Sequence, residues 1–259
     1  MVFLFLKLKQ LPIMRKLLAY PLTCVYYLCF GLTLLIFHPI QWFCFNVFGY
    51  QAHKKSVDYL NFCLSRCLHF LGCTYQFNVP KDLPTNVPVI IVANHQSMND
   101  IPPIIWFMRK FHVKFISKKE LGKGLPSVSY NLRHGGSVLI DRKDAKQALS
   151  KIKEMAAYIE KNNRSVVIFP EGTRSRDGQP KPFQTRGLAT LIEHAPNAYI
   201  FPVTINNSWK TLIYGKFPMG IGYRLKYTVH KPLKISDYNT QTLLETTENT
   251  IKNAITFEK

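Results

Sequence analysis

The sequence predicts an α/β fold in which a mostly parallel sheet is flanked by helices, with a membrane-binding helical segment at the N-terminus. Three observations support this fold class. The first 75 residues are largely apolar, short β-branched runs alternate with helical patterns after about residue 80, and polar stretches directly follow several of those runs. We therefore expect a membrane-associating helical segment at residues 1–75 and an α/β domain at residues 76–259, lengths that suit one domain and an appendage.

The N-terminal segment contains an uncharged run of 21 residues, Leu17 to Phe37, which is long enough to cross a bilayer core of about 30 Å. A cleaved signal peptide is the alternative, but its apolar region is usually shorter, about 7 to 15 residues. Basic residues flank the run on both sides. They are Lys7, Lys9, Arg15 and Lys16 before it, and His53, Lys54, Lys55 and Arg66 after it.

Positive charge marks the cytoplasmic side of a membrane, so two basic flanks disfavour a single crossing. A helical hairpin, or a segment buried in one leaflet, fits better. We expect the protein at the inner (cytoplasmic) membrane, with the α/β domain facing the cytosol. Residues 56–72 carry an apolar stripe at helical spacing, which fits either a helix on the lipid surface or a helix packed on the core.

The composition indicates an anionic partner and no metal. The formal charge of +19 and the pI near 9.7 suit nucleic acid, an acidic membrane surface or phosphorylated small molecules. All six cysteines lie within the first 73 residues, with no Cys-x-x-Cys pair and no histidine cluster at zinc spacing. We expect reduced cysteines, and no thiol nucleophile in the main domain.

Six β-branched runs predict the strands of the sheet. They are residues 88–93, 113–117, 137–140, 165–169, 199–205 and 224–229. The clearest helix is predicted over residues 143–162, where apolar residues recur every three or four positions. Because ligands bind beyond the carboxyl ends of parallel strands, the polar stretches NHQSMND (94–100), DRKD (141–144) and PEGTRSRDG (170–178) should open on the same edge of the sheet.

His95 and Asp100, in the first of these stretches, are five positions apart. On a regular helix they would be about 140° out of line, so we expect His95 in a turn and Asp100 at the cap of a helix that begins at Ile101. An aspartate that accepts one ring N–H leaves the other nitrogen free as a base. Spacing alone is weak evidence, because His53 and Asp58 share it without a site around them. A plain helix cap beside an ordinary loop histidine is the alternative.

The other two stretches suit a phosphate. Arg142 and Arg174 offer planar, permanently charged guanidinium groups. Gly172 would let backbone approach a ligand closely, and Thr173 adds a hydroxyl. Glu171 would repel a phosphate unless it binds an arginine or an acceptor hydroxyl, and an ordinary salt bridge with either arginine is its alternative reading.

Four blocks of sequence, in this order, resemble the glycerolipid acyltransferases of the lysophosphatidic acid (1-acyl-glycerol-3-phosphate) acyltransferase type. They are NHQSMND, GSVLIDR at 136–142, FPEGTRS at 169–175 and IFPVTI at 200–205. The similarity covers roughly residues 80–210. No Gly-x-Ser-x-Gly elbow or Walker phosphate loop competes with this interpretation.

The resemblance implies an O-acyltransferase that acylates the free hydroxyl of lysophosphatidic acid to give phosphatidic acid, without an acyl-enzyme. It implies acyl-CoA or acyl carrier protein (acyl-ACP) as co-substrate, and no metal or other cofactor. His95 resembles the general base and Asp100 the residue that orients it. The residues that resemble substrate-binding positions are Lys118, Arg142, Glu171, Gly172, Thr173 and Arg174 for the acceptor phosphate, and Pro202 for the acyl side.

The positive charge is then explained by an anionic membrane surface rather than by nucleic acid. Two alternatives remain. An acyltransferase of the same fold could act on another acceptor, such as a lyso-ornithine lipid or a lysophospholipid. A membrane-tethered protein could instead bind anionic ligands without catalysis, which leaves His95, Asp100 and the ordered blocks unexplained.

Overall fold

A computed structural model describes residues 12–257 of the chain, so the predicted basic flank at Lys7 and Lys9 lies outside the described residues. The helices are α1 (Pro12–Cys67), α2 (Ile101–Phe107), α3 (Val128–His134), α4 (Ala145–Asn162), α5 (Thr185–His194) and α6 (Thr240–Asn253). The strands are β1 (Thr74–Asn78), β2 (Val89–Ala93), β3 (Val113–Lys118), β4 (Val138–Ile140), β5 (Ser165–Ile168), β6 (Tyr199–Asn206), β7 (Arg224–Val229) and β8 (Leu233–Lys234).

The described strands form one eight-stranded sheet in the order β1-β7-β6-β2-β5-β3-β4, with β8 beside β6. Neighbours pair in parallel, except that β7 and β8 run antiparallel to β6. The predicted fold class and all six predicted strands are confirmed. The prediction lacked β1 and β8: β1 is an edge strand of mostly polar, half-buried residues, and β8 has only two residues, so neither carries an apolar run.

The sheet separates two apolar cores. The face that packs against α1 and α2 buries residues such as Ile91, Phe201 and Tyr227, and the opposite face packs against α4, α5 and α6. The predicted helix is confirmed as α4, which begins where Asp144 accepts a hydrogen bond from the Gln147 N–H at 2.9 Å. Burial of each large apolar side chain in these cores stabilises the fold by about 1.5 to 3 kcal/mol.

Helix α1 is a hairpin of two segments. Gly49 has φ 77° and ψ −168°, values that only glycine adopts readily, and it breaks the helix. Thr33 Oγ1 lies 4.0 Å from Cys67 Sγ, and the rings of Phe45 and His53 are 5.5 Å apart. In a straight helix, residues 33 and 67 would be about 51 Å apart, so the second segment folds back along the first. The predicted helical hairpin is thus present in the structure.

The two segments differ in exposure. Among the described residues, the helical stretch Pro12–Leu71 is long and apolar enough to cross a membrane, by length and composition only. This stretch suggests membrane association. Leu28, Ile36 and Phe48 are 58–66% exposed on the first segment. The apolar stripe predicted over residues 56–72 instead packs on the core, since its members at 57, 60, 64, 67, 68 and 71 are buried.

Candidate active site

The three predicted polar stretches meet at one edge of the sheet. A cavity of about 980 Å³ opens at the carboxyl ends of β2, β3, β4 and β5, and residues from all three stretches line it. The loop after β6 adds a fourth wall through Trp209, Leu212 and Lys216. The predicted convergence is therefore confirmed, and it follows from the parallel pairing of these strands.

His95 and Asp100 form a hydrogen-bonded pair. His95 Nδ1 lies 2.8 Å from Asp100 Oδ2, with side-chain exposures of 12% and 0%. The same oxygen accepts the backbone N–H groups of Gln96 and Ser97, at 2.7 and 2.8 Å. Asp100 makes no side-chain capping bond to α2, because its carboxylate points back into the turn, where these three donors converge. The predicted start of the helix at Ile101 is confirmed, but the side-chain cap is not.

This geometry suits a general base. A buried carboxylate beside Nδ1 keeps the proton on that nitrogen, which leaves the Nε2 lone pair directed at the cavity. Phe169 stacks on the imidazole with a centroid separation of 4.1 Å and so restricts its rotation. The comparison pair behaves differently: Asp58 accepts from Lys54 at 2.5 Å rather than from His53. The same five-residue spacing therefore occurs in one pair that is hydrogen-bonded and in one pair that is not, so spacing alone does not predict the contact.

Two backbone hydrogen bonds tie His95 to the loop after β5. The His95 N–H donates to Glu171 Oε1 at 2.8 Å, and the Ser175 N–H donates to the His95 carbonyl at 2.7 Å. Glu171 Oε2 accepts the Lys181 N–H at 3.0 Å. Burial raises the pKa of Glu171, while these two N–H groups act in the opposite direction. Glu171 is 5% exposed and holds two loops together, in place of the arginine pairing considered from the sequence.

The predicted cationic residues line the cavity. Arg174 Nε lies 3.4 Å from His95 Nε2, and Arg142 donates to the Gly172 carbonyl. Partial burial lowers the pKa of Arg142, the charge of Arg174 lowers it further, and Glu120 raises it. Lys118 lines the cavity from the end of β3. Arg174 beside the imidazole, together with Arg142 and Lys118 in the lining, gives the cavity a strongly positive end.

The remaining predicted residues divide between the cavity and the sheet. Gly172 lines the cavity with φ +67°, and open space lies where a Cβ would project, so the requirement for glycine is conformational. Thr173 lines the cavity and accepts from Lys181 Nζ at 2.8 Å. Pro202 is buried in β6 opposite Val92 and is not among the cavity-lining residues that the structure describes. Its link with the acyl side stays a prediction.

Sequence reasoning missed several residues that shape the site. Asn94 exchanges two hydrogen bonds with the backbone of Ile205, at 2.7 and 2.9 Å, and so fixes the end of β2 against β6. The Gln96 side-chain oxygen accepts the N–H groups of Ser208 and Trp209, at 2.9 and 3.4 Å. Asn94 and Gln96 flank His95 in NHQSMND, and this position in the sequence could have identified them as residues that shape the site. Trp209 had none, because its partner is more than 100 residues distant.

No group of three or more His, Cys, Asp or Glu side chains in residues 12–257 is arranged to hold a metal ion. The described cysteines are free thiols, and all six lie outside the cavity lining. The cavity lining presents the oriented His95 imidazole together with guanidinium, ammonium and hydroxyl groups.

Comparisons with known proteins find similar chains of named activity. A 1-acyl-sn-glycerol-3-phosphate acyltransferase of Helicobacter pylori is 37% identical over 125 residues, which are 47% of this chain and 49% of that protein. One of Cocos nucifera is 37% identical over 100 residues, or 39% of this chain and 32% of that protein. The chain spans about half or less of the length of these curated relatives.

The crystal structure of the 1-acyl-sn-glycerophosphate (LPA) acyltransferase PlsC from Thermotoga maritima shares the fold. Its TM-score is 0.75 at 24% sequence identity, with 93% of this chain and 94% of that chain covered. The sequence profile of the acyltransferase family matches residues 75–206, which is about half of the 259 residues and includes the His95 turn, the arginines and β6. The chain belongs to the acyltransferase family.

Proposed function

We propose that the protein transfers an acyl group from acyl-CoA or acyl-ACP to the free hydroxyl of 1-acyl-glycerol-3-phosphate, giving phosphatidic acid. One observation carries this proposal: His95 Nε2 faces a cavity of about 980 Å³ whose rim is cationic, while Nδ1 is bonded to fully buried Asp100. The activity for which the two curated relatives are named supports the choice of acceptor.

His95 acts in this proposal as the general base and Asp100 as its orienting partner. The acceptor hydroxyl approaches Nε2 and passes its proton to the imidazole as its oxygen attacks the thioester carbonyl, because an alcohol is too weak an acid to ionise beforehand. This attack forms the C–O bond of a tetrahedral intermediate, and collapse of the intermediate restores the carbonyl and breaks the C–S bond. The imidazolium returns its proton to the leaving thiolate. Asp100 stabilises that imidazolium, and no acyl-enzyme is formed.

Arg142, Arg174 and Lys118 bind the acceptor phosphate in this proposal. Arg174 Nε lies 3.4 Å from His95 Nε2 and so occupies the place beside this nitrogen that the acceptor hydroxyl must take. Arg174 therefore moves from the imidazole to the phosphate when the acceptor enters. A guanidinium group that bonds a phosphate through two N–H groups both binds and orients it. The distance from phosphate to hydroxyl in the acceptor then sets the reacting oxygen against Nε2.

The same cavity has an apolar wall that suits an acyl chain. Ile116, Leu121, Ile140, Ile152 and Ile168 line it on the side of β3, β4, β5 and α4. Apolar side chains beside a cationic rim match a molecule with a hydrocarbon chain and a phosphate. This wall could hold the chain of either substrate, and the choice between CoA and acyl carrier protein as thiol carrier remains part of the proposal.

The decisive experiment uses the purified full chain with lysophosphatidate and labelled acyl-CoA or acyl-ACP, and identifies the lipid product. The expected product is phosphatidic acid. His95→Ala should lower turnover by a factor on the order of 10² to 10⁴, the usual scale for a positioned base. His69→Ala is the matched control, because His69 is exposed and outside the cavity lining.

Near-full activity of the His95→Ala variant would refute the assignment of the base. A panel with a lyso-ornithine lipid and other lysophospholipids in place of lysophosphatidate tests the acceptor, and preference for one of these would transfer the proposal to that substrate. Absence of thioester consumption with every acceptor, together with ligand retention on filters, would favour the non-catalytic alternative.

We also propose that the exposed first segment of α1 lies in the inner membrane with the α/β domain on the cytosolic side. The exposed side chains of Leu28, Ile36 and Phe48 and the formal charge of +19 support an anionic lipid surface as partner. In sealed vesicles that expose the cytosolic face, added protease should reach the α/β domain. Full protection there would contradict this orientation.

A further inference from the structure

Tyr26 is a fully buried polar side chain on a mostly exposed, apolar helical segment. It is 0% exposed and shares one helix face with Ala19 and Thr23, which are also 0% exposed. This face packs into the core on the α1 side of the sheet. Other apolar side chains of the segment are exposed, for example Leu28 at 63% and Leu35 at 57%. The phenol ring therefore marks where the segment is seated on the α/β domain.

The Tyr26 hydroxyl donates to Asn99 Oδ1 at 3.0 Å, and Asn99 is the residue before Asp100. Asn99 is 3% exposed, and its other polar groups are also engaged. Its Nδ2 donates to Thr211 Oγ1 at 3.2 Å, and its carbonyl accepts from the Tyr227 hydroxyl at 3.1 Å. Asn99 thus joins three parts of the molecule at one buried point: the apolar helix, strand β7, and the loop that follows β6.

This point controls the placement of the proposed base. The Asn99 N–H donates to Ser97 Oγ at 3.0 Å, which closes the turn around the Asp100 carboxylate. That carboxylate holds His95 Nδ1 at 2.8 Å. Loss of the Tyr26 bond would leave the Asn99 oxygen buried without that donor, and the side chain would shift to find another. A displacement of about 1 Å at a positioned group can lower a rate by about 10².

We infer that Tyr26 is a positioning residue, whose hydroxyl sets the His95–Asp100 pair through Asn99 and so makes correct assembly of the site depend on the seating of the apolar helix. The kinetic part of this inference rests on the proposed acyl transfer. Within residues 12–257, the hydrogen-bond partner of the Tyr26 hydroxyl is Asn99, which is not a cavity-lining residue, so the effect on the reaction is inferred to pass through the turn.

Tyr26→Phe is the test, and Thr23→Val is its matched control. Thr23 Oγ1 accepts the Met219 N–H at 2.9 Å on the same buried face, but does not bond to the turn. We expect Tyr26→Phe to lower kcat by about tenfold or more with little change in either KM. Each variant loses one buried hydrogen bond, so Thr23→Val should lower the melting temperature about as much as Tyr26→Phe does. Thr23→Val should, however, leave kcat unchanged.

A double-mutant cycle separates positioning from general destabilisation. In an Asn99→Leu background the acceptor of the phenol is gone, so adding Tyr26→Phe should change kcat by less than about twofold. Equal losses from Tyr26→Phe in the two backgrounds would overturn the inference. An unchanged kcat for Tyr26→Phe alone, or a loss matched by Thr23→Val, would overturn it as well.

Hydrogen exchange supplies a reading that does not depend on the substrate. The Gln96 and Ser97 amides donate to Asp100, so their peptide should exchange at least about tenfold faster in Tyr26→Phe than in the wild type or in Thr23→Val. Unchanged protection would overturn the inference even if no lysolipid were acylated. If the wild-type protein acylates no lysolipid but Tyr26→Phe still speeds exchange of this peptide, the inference stands and only the proposed function is removed.

Discussion

Asp100 offers the sharpest test of the site, because one substitution there should impair folding while another should keep the fold and impair the chemistry. Its Oδ2 accepts three N–H groups, at 2.8 Å from His95 Nδ1, 2.7 Å from Gln96 and 2.8 Å from Ser97. Asp100→Ala removes the acceptor and leaves these donors unpaired. At about 1 to 3 kcal/mol for each unpaired donor, the loss is about 3 to 9 kcal/mol.

That loss is comparable with the whole stability of a typical domain, about 5 to 15 kcal/mol, so Asp100→Ala should fold poorly. Asp100→Asn keeps one oxygen to accept the three donors but lacks the charge that stabilises an imidazolium. We expect it to fold and to lose a factor on the order of 10² to 10⁴ in kcat. Thermal unfolding and steady-state acyl transfer measure the two effects. A folded Asp100→Asn variant with near wild-type turnover would refute the role of Asp100 as the residue that orients His95 and stabilises its imidazolium.

Three further predictions concern the surrounding charges. Arg174→Ala should raise the KM for the acceptor by about 10- to 100-fold with a smaller change in kcat, because a charge-assisted hydrogen bond contributes about 1.5 to 3 kcal/mol; the measurement varies lysophosphatidate at saturating thioester. Glu171→Gln should lower the free energy of unfolding in denaturant by about 1 to 3 kcal/mol, since its amide group would face one of two N–H donors now paired with the carboxylate. Burial, then the charges of Arg164 and Lys54, lower the pKa of Lys114 from 10.5 to about 7, and the charge of Asp58 opposes them. Keeping this buried lysine protonated therefore costs free energy at or below neutral pH, so Lys114→Met should stabilise the protein there by a few kcal/mol. The unfolded chain binds the extra proton between those values, so wild-type stability should rise with pH across that window, and the variant should lack this slope in denaturant titrations.

Each of these has a control and a contrary outcome. Arg186→Ala, on the exposed side of α5, should leave the acceptor KM unchanged, and the same result for Arg174→Ala would remove its phosphate role. Unaltered stability of Glu171→Gln would mean that its two hydrogen bonds contribute nothing. Lys161→Met changes an exposed lysine and should keep the wild-type pH slope. If Lys114→Met keeps that slope too, the buried lysine is not its source.

The central strands could be predicted because they carry their signal locally. Strands such as β2 and β5 are continuous apolar runs that end in a polar stretch, and parallel pairing then places those stretches at one edge. The edge strand β1 has no such run. Its pairing with β7, through Thr74 and Arg224 for example, joins residues about 150 positions apart and depends on the tertiary fold.

The site was predictable to the level of residue type rather than contact. His95, Arg142 and Arg174 were identified because their side-chain chemistry suits a base and a phosphate. The role of Glu171 could not be deduced, since its partners are backbone N–H groups at His95 and Lys181, and every residue except proline offers such a group. Sequence patterns do not indicate which N–H will face a given carboxylate.

The contact between Arg174 and His95 has a consequence for the idle enzyme. Under the proposed function, the Arg174 guanidinium group lies at the His95 Nε2 lone pair while no acceptor is bound, and so prevents this nitrogen from activating a water molecule against the thioester. Wasteful hydrolysis of the donor should therefore be slow in the absence of lysolipid, and arrival of the acceptor both relieves this block and supplies the competing nucleophile. Slow loss of the activated acyl donor would thus follow from the placement of one arginine side chain.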